Sequence, residues 1–180
     1  MDSETKRKML ELARKAIINA RDEAEFKKLL DDRIVDMKGG VFVSVYVDDE
    51  LRGCIGNLNA VDIHRGIIKN AVMAAFYDNR FPPVEPEEFS RMKVHINILG
   101  EPEELRFKDS NDLLAKLDRR KGVIIEKGFK KATFLPSVWK ELKDKREFLE
   151  HLCLKAGLSQ DEWTTKGIKV FLYDSEEFSE

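Results

Sequence analysis

The run GGVFVSVYV at residues 39–47 limits what this chain can become more than any other stretch. Val41, Val43, Val45 and Val47 share one side of an extended strand, and Phe42, Ser44 and Tyr46 share the other. That two-residue period is the mark of a pleated strand with one face in a core. The acidic DDE from Asp48 to Glu50 makes a turn, so ELRGCIGNL at 50–58 is expected to return as the second strand of a hairpin. MKVHINIL alternates again, with Val94, Ile96 and Ile98 inward and Lys93, His95 and Asn97 opposite.

Between these strands the period changes to that of helices. Met9, Leu12, Ala16 and Ala20 recur at helical spacing in residues 3–20, and a second short helix is expected over 23–30. Asp62 is placed to cap a helix over 63–77, whose Ile63, Ile67, Ala71 and Ala74 form one stripe, and Pro82 and Pro83 close it off. Further on, Ser110 is expected to cap a helix reaching Leu117, and KGVIIEKGFKKATFL to turn as a hairpin at Lys127 and Gly128. Pro136 suits the first turn of a short helix, and Asp144 caps another that stops at Gly157. SQDE at Ser159 has a capping-box pattern, and IKVFLY supplies a last strand. Tight turns between strands, with helices between the groups, predict an α+β fold whose antiparallel sheet is flanked by helices.

The composition narrows the class of function. At 180 residues and 42% hydrophobic, the chain can bury a core, and no apolar run approaches the roughly 20 residues needed to span a bilayer. The charged N-terminal stretch lacks a secretory signal's apolar block, so a cytoplasmic protein is expected. Lys and Arg total 32 against 34 for Asp and Glu, a net charge of −2 that gives no overall attraction to nucleic acid or an anionic membrane. The two cysteines, Cys54 and Cys153, are too far apart in sequence for a redox or zinc pair, and His64 and His151 have no partner at i+4, so no metal is assigned.

The returning strand carries residues that packing alone does not favour. In regular extended geometry Arg52 and Cys54 point the same way, about 7 Å apart, while Leu51, Gly53 and Ile55 point oppositely. A guanidinium beside a thiol stabilises the thiolate and makes sulfur a better nucleophile. Gly53 and Gly56 clear side chains from the neighbourhood, as a pocket floor would require. A plainer arrangement fits the same spacing: Cys54 a small core residue, Gly53 at a bulge, and Arg52 paired with a surface carboxylate.

LRGCIG, together with DNRFPPV, TFLPSVW and FLEHLCLKAGL in that order, resembles the AMMECR domain, a family named for the Alport-syndrome, midface-hypoplasia and elliptocytosis chromosomal region. The match runs from about residue 39 to the C-terminus. The resemblance implies a cytosolic protein of two unequal lobes with LRGCIG near a cleft. We place the larger lobe at approximately 1–52 and 92–180 and the smaller at approximately 53–91. Members are encoded beside, or fused to, Memo-like and radical-SAM proteins, which implies a shared modification pathway and supplies no established reaction. Three positions depart from the family pattern: Asn79 stands where proline is usual, Ser137 where glutamine is, and His95 where glutamate is.

The motif positions raise Arg52, Gly53, Cys54, Gly56, Asp78, Arg80 and Phe81 to site candidates, and His95 joins them from the polar face of its strand. Asp78 and Arg80 either pair locally or reach the cleft, and Phe81 suits a packing anchor. Cys153, on an apolar helical stripe, belongs to the core. KLDRRKGVIIEKGFKK holds seven basic residues with Phe129 among them, yet a solvated hairpin explains it better than nucleic-acid binding. The expected protein is therefore an enzyme or enzyme component acting on a small molecule or protein side chain. Cys54 and Arg52 would be its catalytic pair, Gly53, Gly56, Asp78, Arg80, Phe81 and His95 its binding residues, and no cofactor is assigned. The alternative is a module that docks a Memo-like or radical-SAM partner through the same cleft without catalysis.

Overall fold

Asp2 starts the first helix by accepting the Thr5 N–H, and α1 (Ser3–Ile18) buries Met9, Leu12, Ala13, Ala16 and Ile17 along one stripe. Asp22 caps α2 (Glu23–Asp31) in the same way. The hairpin follows as β1 (Lys38–Val47) and β2 (Glu50–Asp62), with Asp48 and Asp49 at φ 52° and 65°. Two successive positive φ values define the type I′ turn that suits the twist of paired strands. Asp62 then accepts the Arg65 N–H to begin α3 (Ile63–Phe76), and β3 (Met92–Leu99) follows a proline-rich connection. The computed structural model describes residues 1–180.

The remaining elements are β4 (Glu103–Glu104), α4 (Ser110–Lys116), β5 (Gly122–Lys127), β6 (Lys130–Phe134), α5 (Lys145–Lys155), β7 (Lys169–Tyr173) and β8 (Ser175–Ser179). They form two four-stranded sheets, ordered β2-β1-β3-β8 and β4-β7-β5-β6. The chain accordingly divides into two units, residues 1–99 with 176–180, and residues 100–175.

In the first unit α1 and α3 lie on the inward face of the sheet, where Val41, Val43, Val45, Ile63, Ile67, Val94 and Ile96 are fully buried. Each such side chain contributes about 1.5–3 kcal/mol by leaving water. His64, also buried, is satisfied by the Leu29 carbonyl at Nε2 (2.8 Å) and the Ile34 N–H at Nδ1 (3.4 Å). In the second unit α5 packs Phe148, Leu149, Leu152 and Cys153 into a core with Val123, Ile125 and Val170. Trp139 stacks on Phe148 with ring centroids 3.5 Å apart. Burial pushes the Cys153 thiol up to about 11, as expected of a core residue.

The α+β expectation and most element positions agree with the structure, and the differences have local causes. Residues 53–91 lie within the first unit, because β2 pairs along its length with β1 and α3 packs on both, so all three share one core. Asp109, not Ser110, caps α4 through the Asp112 N–H. SQDE yields only a 3-10 turn at Glu162–Thr164, with no side-chain cap. β7 is followed by β8, whose SEEFS sequence has too little alternation to announce a strand.

Candidate functional site

β2 lies at the edge of its sheet, and the LRGCIG segment sits where that edge meets the loop after α3. Gly53 faces inward opposite Val45, against the last turn of α3. A Cβ placed there would lie 1.9 Å from the Ala74 carbonyl oxygen, so only glycine permits this approach. Cys54 faces outward opposite Ser44, half-buried and unbridged. Gly56 lies under the ring of Phe42, 2.2 Å from where its Cβ would be.

The unpaired backbone of an edge strand must find partners. At Cys54 they come from the DNRF turn: the Cys54 N–H donates to Asp78 Oδ2 (2.9 Å), and Arg80 Nη2 donates to the Cys54 carbonyl (2.9 Å). Asp78 and Arg80 are themselves joined by two hydrogen bonds along one guanidinium edge, Nε to Oδ1 at 2.9 Å and Nη2 to Oδ2 at 2.7 Å. The Asp78 carboxylate is only 3% exposed whereas the Arg80 side chain is 60% exposed, so one partner anchors and the other reaches solvent. The hydrogen bonds from Arg80, helped by the Cys54 N–H, hold the Asp78 carboxyl well below the usual carboxylate range despite its burial. Asp78 also raises Arg80 above its ordinary value, and the nearby Cys54 adds a smaller contribution in the same direction. Phe81 closes the turn: its N–H donates to the Asp78 carbonyl (3.0 Å), and its half-buried ring lies 5.4 Å from the Arg80 guanidinium.

Arg52 is placed differently from its expected position beside the thiol. The register with β1 slips between Val45 and Tyr46, which pair with Gly53 and Leu51, so Arg52 is the extra residue of a β-bulge. A bulge breaks the simple alternation from which a shared face with Cys54 was expected. The Arg52 guanidinium instead binds Glu88 (2.6 Å) and the carbonyls of Pro82 (3.3 Å) and Pro83 (3.0 Å). Its bond to Glu88 lowers the Glu88 carboxyl from its ordinary value. Arg52 thus pins the 82–88 connection, and its Nε is buried without an acceptor. The cation beside Cys54 is Arg80.

The outward face beyond Cys54 is polar. Ser44 separates Cys54 from His95 on β3, so the two lie in one cross-strand row, roughly 10 Å apart at two inter-strand spacings. His95 packs against Tyr46, centroids 4.5 Å apart. Burial raises the Tyr46 phenol above its usual value, with smaller contributions from Cys54 and Glu177. Asn97 sits on the same face, buried, its Oδ1 without a hydrogen-bond partner. Sequence patterning assigned Asn97 to this face and gave no sign that it would be buried.

The family model described as AMMECR1 matches residues 10–178. The chain belongs to the AMMECR1 family. Protein MK0488 of Methanopyrus kandleri is 34% identical over 180 residues, spanning 96% of this chain and 86% of its own. Protein MJ0810 of Methanocaldococcus jannaschii is 38% identical over 152 residues, spanning 82% of this chain and 76% of its own. The crystal structure of the uncharacterized protein PH0010 from Pyrococcus horikoshii superimposes with a TM-score of 0.80 at 30% identity, covering 100% of this chain and 93% of that one.

Within this AMMECR1-family chain, the LRGCIG and DNRF segments meet in space: Cys54 is held by Asp78 and Arg80. Asn79, between them, is exposed and leaves the clamp intact. The basic stretch of residues 116–131 is largely neutralised where it folds. Lys116 pairs with Asp112, Arg120 with Asp118, Lys121 with Asp174, Lys127 with Glu162 and Lys131 with Glu126. Phe129 stands fully exposed at the hairpin tip. No helix is long and apolar enough to cross a membrane.

Proposed function

We propose that this protein performs covalent chemistry at the Cys54 thiol, on a small molecule or a protein side chain, with Arg80 rather than Arg52 as the cation of the site. The supporting observation is the Asp78–Arg80 clamp. Asp78 fixes the guanidinium at its Nε edge, the Cys54 carbonyl holds Nη2, and the solvent-facing part of Arg80 remains beside the sulfur's strand. A fixed guanidinium attracts an anionic or carbonyl-bearing substrate without having to be ordered at the moment of reaction. In acyl transfer, the thiolate attacks the carbonyl carbon, an S–C bond forms, and the leaving group departs with its electron pair. Water or an acceptor amine then releases the acyl group and restores the thiol.

The test is covalent capture with p-nitrophenyl acetate, read by intact mass and peptide mapping. Acetylation is expected at Cys54 and faster than acetylation of glutathione at the same pH, with Cys153 unmodified because it is buried. A Cys54 rate no higher than that of glutathione would overturn the proposal.

A second reading is favoured by one observation: no protein group hydrogen-bonds the Cys54 sulfur, so no base is in place to activate it. On that reading the exposed Arg80 and the neighbouring Tyr77 dock a partner of the Memo-like or radical-SAM class without catalysis. Arg80→Ala would then abolish partner capture while Cys54→Ser leaves it intact. Loss of capture in both variants, or in neither, counts against docking through Arg80 alone.

A further inference from the structure

Most arginines of the first unit are already committed. Of the eight among residues 1–99, Arg7, Arg14, Arg33, Arg52, Arg80 and Arg91 each hold a carboxylate. Arg21, in the turn between α1 and α2, holds none, and it lines two cavities at once. The first, about 230 Å³, is walled by Ile17, Ile18, Phe76, Val84, Pro86 and Phe89. The second, about 250 Å³, is walled by Val72, Phe76, Tyr77 and Pro83. Ala20, Arg21 and Phe76 belong to both, so the two form one groove between the end of α1, the end of α3 and the 82–89 connection.

We infer that this groove binds an organic carboxylate that carries an aromatic or branched apolar group, its carboxylate on Arg21 and its apolar part against Phe76 and Phe89. Three features carry the assignment. The walls supply no acidic side chain: Glu85 and Glu87 flank Pro86 but line neither cavity. Arg21 supplies the single charge, and its fork matches a carboxylate through two parallel hydrogen bonds. An apolar cleft with one convergent polar group is the usual make-up of a small-ligand site, and the combined volume falls at the lower end of the range for such sites. The groove does not involve Cys54, so it stands whether or not the thiol is reactive.

A carboxylate of this kind has two sources, a free organic acid or the C-terminus of a peptide. The experiment titrates the full-length protein by calorimetry with 4-phenylbutyrate, its neutral amide, the peptide acetyl-Ala-Ala-Phe, and that peptide amidated at its C-terminus. Saturable binding of at least one acid is expected, with its amide weaker by about tenfold or more, the value of a charge-assisted hydrogen bond. Arg21→Gln should reduce affinity for the acid by a similar factor and leave the amide unchanged. Arg21 is exposed and makes no internal bond, so the variant is expected to fold, and unchanged thermal unfolding would show it. The tighter of the two acids identifies the source. Equal binding of acid and amide, acid binding unaffected by Arg21→Gln, or no saturable binding of either acid would overturn the inference.

Discussion

Gly53→Ala should destabilise the protein by about 3 kcal/mol or more, at the upper end of what overpacking costs. The added methyl would lie 1.9 Å from the Ala74 oxygen and 2.7 Å from its carbonyl carbon, and both are backbone atoms. No rotamer can relieve that contact, so β2 and α3 must separate, and with them the strand that presents Cys54. Gly56→Ala makes a useful contrast: the obstructing atoms belong to the Phe42 side chain, which can clear the methyl by changing its χ1 rotamer without moving backbone. Its cost should be nearer 1 kcal/mol. Urea midpoints for the two variants, compared at equal m-values, check the difference. Equal midpoints would mean that helix and strand are not so tightly apposed.

Asp78→Ala is the second substitution with a large expected effect. It leaves the Cys54 N–H at a sheet edge without its acceptor and releases Arg80 from both of its carboxylate bonds. Removing the acceptor of a buried donor costs about 1–3 kcal/mol, and the loss of charge-assisted bonds places this case near the top of that range. The effect should depend on pH. The folded carboxyl lies below its unfolded value of about 3.9, so the unfolded chain takes up the proton first and stability increases with pH. Its contribution is complete above about pH 5 and is lost as pH falls through the acid range. The stability gap between wild type and Asp78→Ala should therefore narrow as unfolding is measured from pH 7 down to pH 3. A gap constant over that range would show that the charge of Asp78 does not matter to the fold.

Strict alternation in residues 39–47 and 92–99 made β1 and β3 readable from the sequence, because one face of each is fully buried and a slip by one residue would expose it. Asp62 and Asp144 were readable as caps, since a short acceptor before an apolar periodic run has few other roles. The bulge at Arg52 was not, because a single unpaired residue leaves no trace in composition, and the regular alternation that would give Arg52 and Cys54 a shared face is interrupted there. β8 was hidden for another reason: Ser175, Glu176, Glu177 and Ser179 gain their strand character only from pairing beside β3. The resemblance grouped LRGCIG with DNRF without geometry. The contact between Cys54 and Asp78, 24 residues apart, required the fold. Arg21 gave no sequence signal at all, since an unpaired arginine is recognised only once the partners of the others are known.

We propose that Arg80, held by Asp78, supplies the positive potential at Cys54, while Arg52 pins the 82–88 connection. The most direct measurement compares the rates at which Cys54 reacts with iodoacetate and with neutral iodoacetamide, at low salt where charge is least screened. Taking the ratio cancels changes in the accessibility and nucleophilicity of the sulfur. The predicted result is a ratio that falls severalfold in Arg80→Gln and stays at the wild-type value in Arg52→Gln. A ratio that falls in Arg52→Gln and is indifferent to Arg80→Gln would assign that potential to Arg52 instead.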